Sequence, residues 1–161
     1  MGWFSKKPSW EVMYAQRLYD AFAASDDLGE MTPQRLRIPL ASYRRYADKA
    51  LSQREIFCFV ALMSAASPVQ RPNLQLVMMA FSRLLEGKFR DRGISIDMDR
   101  FAEQSTQEVE RMFANPFEWA QHWLSDFRDD PNDNHMVFLF ADHCTRQFQA
   151  FKAGIENTYR A

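Results

Sequence analysis

The sequence predicts an all-α fold, a single-domain, irregular (orthogonal) helical bundle of about seven helices. Apolar residues recur at spacings of three and four along most of the 161 residues, and alternating strand patterns are nearly absent. The five glycines and seven prolines lie mostly between these apolar segments. Hydrophobic residues make up 47% and charged residues 25%, as in ordinary globular domains. We therefore expect residues 1–8 to form a flexible tail and residues 9–161 to form one helical domain around one core.

Capping residues predict where the first helices begin. Ser9 precedes an amphipathic run and is expected to cap the first helix. Thr32 followed by Pro33 predicts a short helical turn, because proline is well tolerated at the first helical position. Residues 40–51 then form an amphipathic run with a basic side, which predicts the next helix.

A separate central helix is predicted to begin at Ser52. Ser52 and Glu55 match a capping box, in which a serine and an acid three residues later satisfy the first backbone N–H groups of a helix. Residues 56–66 are apolar nearly all round. We expect this segment to be surrounded by other helices and to form the centre of the core.

The second half of the chain predicts further helices. One long amphipathic helix is expected to end near Gly93, and another to end before Asn115. Asn115, Pro116 and Glu118 then provide a cap, a first-position proline and an acid for the next helix. The last helix carries a seven-residue repeat, which predicts an internal packing seam, with self-association as the alternative. The repeat consists of Val137, Ala141, Cys144, Phe148, Phe151 and Ile155.

Charge is divided along the chain although the net charge is only -1. Residues 32–54 contain six basic residues and one acid, whereas residues 97–133 contain ten acids and three basic residues. One interpretation is that the two regions pack against each other; another is that one of them binds an oppositely charged partner. The candidate partner-binding residues are Arg35, Arg37, Arg44, Arg45, Lys49, Asp126, Asp129, Asp130 and Asp133.

No catalytic, cofactor-binding or metal-ligating residues are predicted. The glycines stand apart, so they cannot form a loop that holds a phosphate. His135 and His143 are eight residues apart on one predicted helix, too far to share an ion. The acidic run 129–134 lacks the glycine and the final glutamate of a calcium loop. Cys58 and Cys144 lie within apolar helical patterns, where a reduced thiol packs as a small hydrophobic group.

These observations predict a non-enzymatic protein-binding module, such as an adaptor, an assembly or secretion accessory factor, or a neutralising partner. The first alternative is a nucleic-acid-binding helical domain that uses the basic 35–54 stretch, although a pI near 6.3 is low for that role. The second is a helical enzyme with a site built from distant residues. We expect a cytoplasmic protein, because a secretory signal and a long apolar span are lacking. We expect no N-terminal membrane contact, because the aromatic and lysine residues at 3–7 form only a weak patch and Lys6 stands where an acylation pattern needs Ser or Thr. The sequence leaves the oligomeric state open.

Overall fold

The computed structural model describes residues 7–25, 31–66, 72–127 and 133–158, and all regular structure in these ranges is helical. A π-helical stretch, Tyr19–Ala23, extends the first helix, and a 3-10 helix, Leu40–Ser42, leads into the second. The all-α prediction is therefore confirmed for these ranges, whereas the orthogonal arrangement and the division at residue 9 stay predictions. The described α-helices are α1 Trp10–Leu18, α2 Tyr43–Ala65, α3 Pro72–Asp91, α4 Met98–Ala114, α5 Pro116–Ser125 and α6 Asn134–Thr158.

The prediction that a new helix begins at Ser52 is wrong. Helix α2 runs without a break from Tyr43 to Ala65, so two predicted helices form one, and the described residues contain six helices instead of about seven. A capping box satisfies backbone N–H groups that lack a partner only at a helix start. Inside a continuous helix these groups already bond to the preceding turn, and the Glu55 carboxylate instead accepts hydrogen bonds from Tyr19 and Arg92.

The core is arranged around the second half of α2. Residues 57–62 are all buried, as predicted for the central segment. Helix α2 packs against α3, α4, α6 and the π-helical extension of α1, while α5 packs against α4 and α6. All six residues of the seven-residue repeat in α6 are buried in this core, so the predicted internal packing seam is confirmed.

The corner between α4 and α5 has the predicted cap. Asn115 is the single residue between the two helices, and its Oδ1 accepts a hydrogen bond from the backbone N–H of Glu118 at 3.1 Å. Its Nδ2 donates to Glu118 Oε2 at 2.9 Å. Pro116 occupies the first turn, where it lacks only an N–H that would have no helical partner. This tight corner fixes how α5 leaves α4 beside α2.

Candidate functional site

The basic candidate residues do not form one free surface. Arg35, Arg37 and Arg44 are exposed, whereas Lys49 is only partly exposed. Arg54, in the same basic stretch, is buried, and its Nε donates to the carbonyl oxygen of Ala23 at 2.7 Å. The stretch therefore divides between solvent and the interior of the fold.

The structure brings basic and acidic candidates together. Lys49 Nζ donates to Asp126 Oδ2 and to the carbonyl oxygen of Trp123, and Arg45 Nη2 donates to the carbonyl oxygen of Asp126 at 3.0 Å. The hydrogen bond from Lys49 is the main reason that the pKa of Asp126 lies below its ordinary value. These contacts hold the first half of α2 against the end of α5, as one interpretation of the charge division predicted.

The remaining acidic candidates are less closely engaged or lie elsewhere. Asp133 Oδ2 is 3.8 Å from Arg37 Nη1, a long contact between a partly exposed and an exposed side chain. Asp129 and Asp130 lie outside the described residues. Of the acidic candidates that the structure describes, Asp126 is bonded to Lys49 and Arg45, and Asp133 lies near Arg37.

A groove of about 630 Å³ opens beside the Lys49–Asp126 contact, between α2, α4 and α5. We call it the α2–α4–α5 groove. Four of the lining residues come from α2, three from α4 and four from α5, and Asn115 lies between α4 and α5. The lining residues are Lys49, Ser52, Gln53, Ile56, Glu108, Arg111, Ala114, Asn115, Glu118, Trp119, His122 and Trp123.

Two tryptophans lie in the wall of the groove. Trp119 and Trp123 are four residues apart, so they lie on the same face of α5, and both are buried. Both rings pack against Phe140 of α6, with centroid distances of 6.3 and 4.7 Å. Trp119 Nε1 donates to Glu108 Oε1 at 2.7 Å, which ties α5 to α4. The contacts with Phe140 of α6 and Glu108 of α4 therefore hold the two tryptophans in place.

Gln53 is the unusual residue of the groove. Only 6% of this residue is exposed, and its Oε1 accepts a hydrogen bond from Trp123 Nε1 at 3.2 Å. Among the described residues, none offers its Nε2 a hydrogen-bond acceptor. A buried donor without a partner costs about 1–3 kcal/mol, and native folds rarely retain one. Gln53 therefore lines the groove with a donor that is unused but itself buried, so an acceptor reaches it only when neighbouring side chains move.

The charged side chains around the groove balance each other. Lys49 and Arg111 are cationic, and Glu108 and Glu118 are anionic. Arg111 Nη2 lies 3.9 Å from Glu108 Oε2. Glu118 and His122, which the sequence places one helical turn apart, both line the groove, and both are exposed. The rim thus carries polar groups of both signs without an excess of either.

A second buried polar cluster lies on another side of α2. Glu55 is fully buried; Arg92 donates to both of its carboxylate oxygens at 2.8 Å, and Tyr19 donates to Oε2 at 2.9 Å. Burial, followed by the negative charge of Glu55, raises the pKa of Tyr19 to about 12. The hydrogen bonds to Glu55 raise the pKa of Arg92. Both oxygens of Glu55 are occupied, so this cluster is closed to a ligand.

Sequence reasoning did not identify the α2–α4–α5 groove. The predicted helix start at Ser52 assigned Gln53 to a first turn, where a polar side chain is normally exposed. The two tryptophans carried a usable signal, since their spacing of four places two large aromatic rings on one helix face. Within the described residues, no group of three or more His, Cys, Asp or Glu side chains is positioned to hold a metal ion.

Comparison with known proteins finds no matching family model, no matching curated protein and no matching solved structure. In the described ranges, every helix is too short or too polar to cross a membrane. A functional interpretation therefore depends on the α2–α4–α5 groove and its surroundings.

Proposed function

We propose that this chain is a non-enzymatic protein-binding module that holds a short segment of a partner protein in the α2–α4–α5 groove. The observation that carries the proposal is the buried Gln53 carboxamide, whose Nε2 finds no acceptor within the described residues. A bound partner that supplies an acceptor would remove the cost of this unsatisfied donor. An adaptor, an assembly or secretion accessory factor and a neutralising partner would all use such a groove.

The size and the surface of the groove support this role. Its volume of about 630 Å³ falls within the range of about 300–1,000 Å³ that is usual for ligand sites. Tryptophan is enriched among residues that dominate binding energies, and Trp119 and Trp123, although mostly buried, line the groove with ring atoms that are already held in place. The groove therefore suits one or two apolar side chains of a partner, surrounded by a polar rim.

Binding is favoured over catalysis by the way the charged groups are used. Glu108 accepts a hydrogen bond from Trp119, Glu118 accepts one from Asn115, and Lys49 donates to Asp126. Each of these groups orients a neighbouring side chain and shapes the groove. A catalytic acid or base instead needs its proton-transferring atom directed at a substrate.

The nucleic-acid alternative loses support from the same contacts. A phosphate-binding face needs several cations that can converge on one backbone. Arg45 and Lys49, two of the basic residues in the 35–54 stretch, donate hydrogen bonds to Asp126 and Trp123 instead. We therefore assign Arg45, Lys49 and Asp126 the role of holding α2 against the end of α5 beside the groove.

We also propose that the module acts in the cytoplasm. Cys58 and Cys144 support this, because both are buried free thiols. Burial raises the pKa of each thiol, so both resist forming the reactive thiolate. Buried thiols of this kind are typical of proteins that fold in a reducing compartment.

The proposal is tested by pull-down with a variant that fills the groove. Ala114 lines the groove from an exposed position, so Ala114→Trp should occupy the space without disturbing the core. Ala153→Trp adds the same side chain at an exposed position of α6 that does not line the groove. The tagged wild-type chain and both variants are incubated with extract of the native host, before and after nuclease treatment, at low and moderate salt. Bound proteins are identified by mass spectrometry, and bound nucleic acid is measured in parallel.

We expect a stoichiometric partner that the wild type and Ala153→Trp retain and that Ala114→Trp loses. Equal capture by all three chains would contradict binding through the groove. Recovery of nucleic acid alone before nuclease treatment, with retention that falls at moderate salt, would favour the nucleic-acid alternative instead.

A further inference from the structure

We infer that the α2–α4–α5 groove recognises a neutral carbonyl oxygen next to an apolar group, as in an extended peptide segment, and disfavours carboxylates and phosphates. A small movement of the groove wall lets the carbonyl accept a hydrogen bond from the buried Gln53 Nε2, while the apolar group packs beside Trp119 and Trp123. This inference rests on the proposed function, because it names the chemistry of the segment that the groove holds.

The orientation of the Gln53 carboxamide requires an acceptor. Trp123 Nε1 is only a donor, so the Gln53 oxygen must face it, as it does at 3.2 Å. Rotating the amide by half a turn would set two donors against each other. The Nε2 group is therefore the donor that remains unused, and a ligand that bonds to it must supply a hydrogen-bond acceptor.

The charges at the rim require that this acceptor be neutral. Lys49 and Arg111 are matched by Glu108 and Glu118, and Lys49 also donates to Asp126. An anionic ligand would lose its hydration without meeting an excess of positive charge, and it would lie near two carboxylates. A neutral carbonyl loses far less hydration free energy on leaving water, and it needs only the one donor that Gln53 provides.

The combination of a neutral acceptor with an apolar surface favours the backbone of a partner protein as the ligand. A peptide backbone carries one carbonyl for each residue, and in an extended segment these carbonyls are not already bonded within the segment. An interior turn of a helix would present side chains and keep its carbonyls bonded internally. We therefore assign the site to an extended stretch with at least one aromatic or large aliphatic side chain.

Three small probes of the same shape test the inference on the full-length protein. Phenylacetamide has a neutral carbonyl, phenylacetate has an anionic acceptor, and phenylacetamidinium is a cation without an acceptor oxygen. Each is titrated into the ¹⁵N-labelled protein, and the side-chain NH₂ resonances of glutamines are followed by NMR. Gln16 is the internal control, because its Nε2 already donates to Asp20 on an exposed face of α1.

We expect phenylacetamide to bind with millimolar affinity and to move the Gln53 NH₂ resonance downfield, as a new hydrogen bond does, while Gln16 stays unchanged. Phenylacetate should bind at least about fivefold more weakly, and phenylacetamidinium should not cause the downfield shift. The inference is overturned if phenylacetate binds as tightly as phenylacetamide, or if phenylacetamide leaves the Gln53 resonance in place up to its solubility limit.

A substitution separates the donor from the rest of the groove. Gln53→Glu keeps an acceptor for Trp123 Nε1 and removes the free N–H, so phenylacetamide should bind about fivefold more weakly. If this variant does not fold, the resonance shift in the wild-type protein still decides. A partner lost by Ala114→Trp together with a preference for phenylacetate would leave the proposed function standing and refute this inference. Capture of the partner by Ala114→Trp together with a preference for phenylacetamide would refute the proposed function, and of this inference only the preference for a neutral carbonyl would stand.

Discussion

Two buried polar side chains of α2 differ in how fully their hydrogen bonds are used. Gln53 and Glu55 are two residues apart, so they lie on nearly opposite sides of the helix. Both oxygens of Glu55 accept hydrogen bonds, from Arg92 and Tyr19, whereas half of the Gln53 carboxamide has no partner within the described residues. Burial of a polar group alone therefore does not indicate a binding site. Gln53 differs from Glu55 because its unused donor lies in the wall of a groove.

The Glu55 cluster serves the fold, because it joins three segments. Tyr19 belongs to the π-helical extension of α1, Glu55 to the middle of α2, and Arg92 directly follows α3. The contact between Glu55 and Arg92 is bidentate, which is the strongest geometry for this pair of groups. The cluster thus fixes the relative positions of three elements around a charge that is fully removed from water.

Substitution of Glu55 should have the largest effect on stability. Glu55→Met keeps an unbranched side chain of similar length but leaves Arg92 and Tyr19 without their acceptor. We expect the free energy of unfolding to fall by about 3 kcal/mol, measured by urea denaturation that is monitored by circular dichroism. Glu103→Met, at an exposed position of α4, is the control and should change stability by less than about 0.5 kcal/mol. A loss below about 1 kcal/mol for Glu55→Met would contradict a structural role.

The pH dependence of stability tests the same cluster through Tyr19. The pKa of Tyr19 is raised from 10.0 to about 12 in the folded state, mainly by burial and then by the charge of Glu55. Below about pH 10, the ordinary pKa of tyrosine, Tyr19 keeps its proton in both the folded and the unfolded state, so its full contribution to stability is present. Between about pH 10 and pH 12 only the unfolded state loses this proton, so the free energy of unfolding falls as the pH rises towards the pKa of Tyr19 in the folded state.

We expect the wild type to lose roughly 2 kcal/mol more than Tyr19→Phe over this alkaline interval. Other groups with raised pKa values, such as Tyr46, remain in both chains and cancel in the difference. The measurement is urea denaturation at a series of pH values from neutral upwards. Parallel pH profiles for the two chains would show that Tyr19 does not keep its proton through the cluster.

Local sequence patterns predicted much of the fold because local interactions decide much of it. The cap at Asn115 and the buried repeat of α6 depend on residues within one or two turns, and both were predicted. The supposed helix start at Ser52 failed because Glu55 has long-range partners, 36 and 37 residues away. The same pattern, a serine with a glutamate three residues later, occurs both in a capping box and inside a continuous helix such as α2.

The candidate site was harder to predict because it is defined by an unsatisfied atom. Sequence patterns indicated charged residues, and the structure brings Lys49 and Asp126 into contact with each other. Nothing local to Gln53 reveals that its oxygen meets Trp123, 70 residues away, while its nitrogen meets no acceptor among the described residues. Helix periodicity can assign a side chain to a face, but it cannot count the hydrogen bonds that the assembled fold provides.

Substitution of Gln53 should have the smallest effect on stability and the clearest effect on binding. Gln53→Met removes the unused donor, which is favourable, and also the acceptor for Trp123 Nε1, which is unfavourable, so the two changes largely offset each other. We expect the free energy of unfolding to stay within about 1 kcal/mol of the wild type, in contrast to Glu55→Met with the same new side chain. The folded variant should nevertheless capture less of the partner that Ala114→Trp loses, measured in the same pull-down. A stability loss as large as that of Glu55→Met would mean that Gln53 is a structural residue, and the distinction between the two sides of α2 would fail.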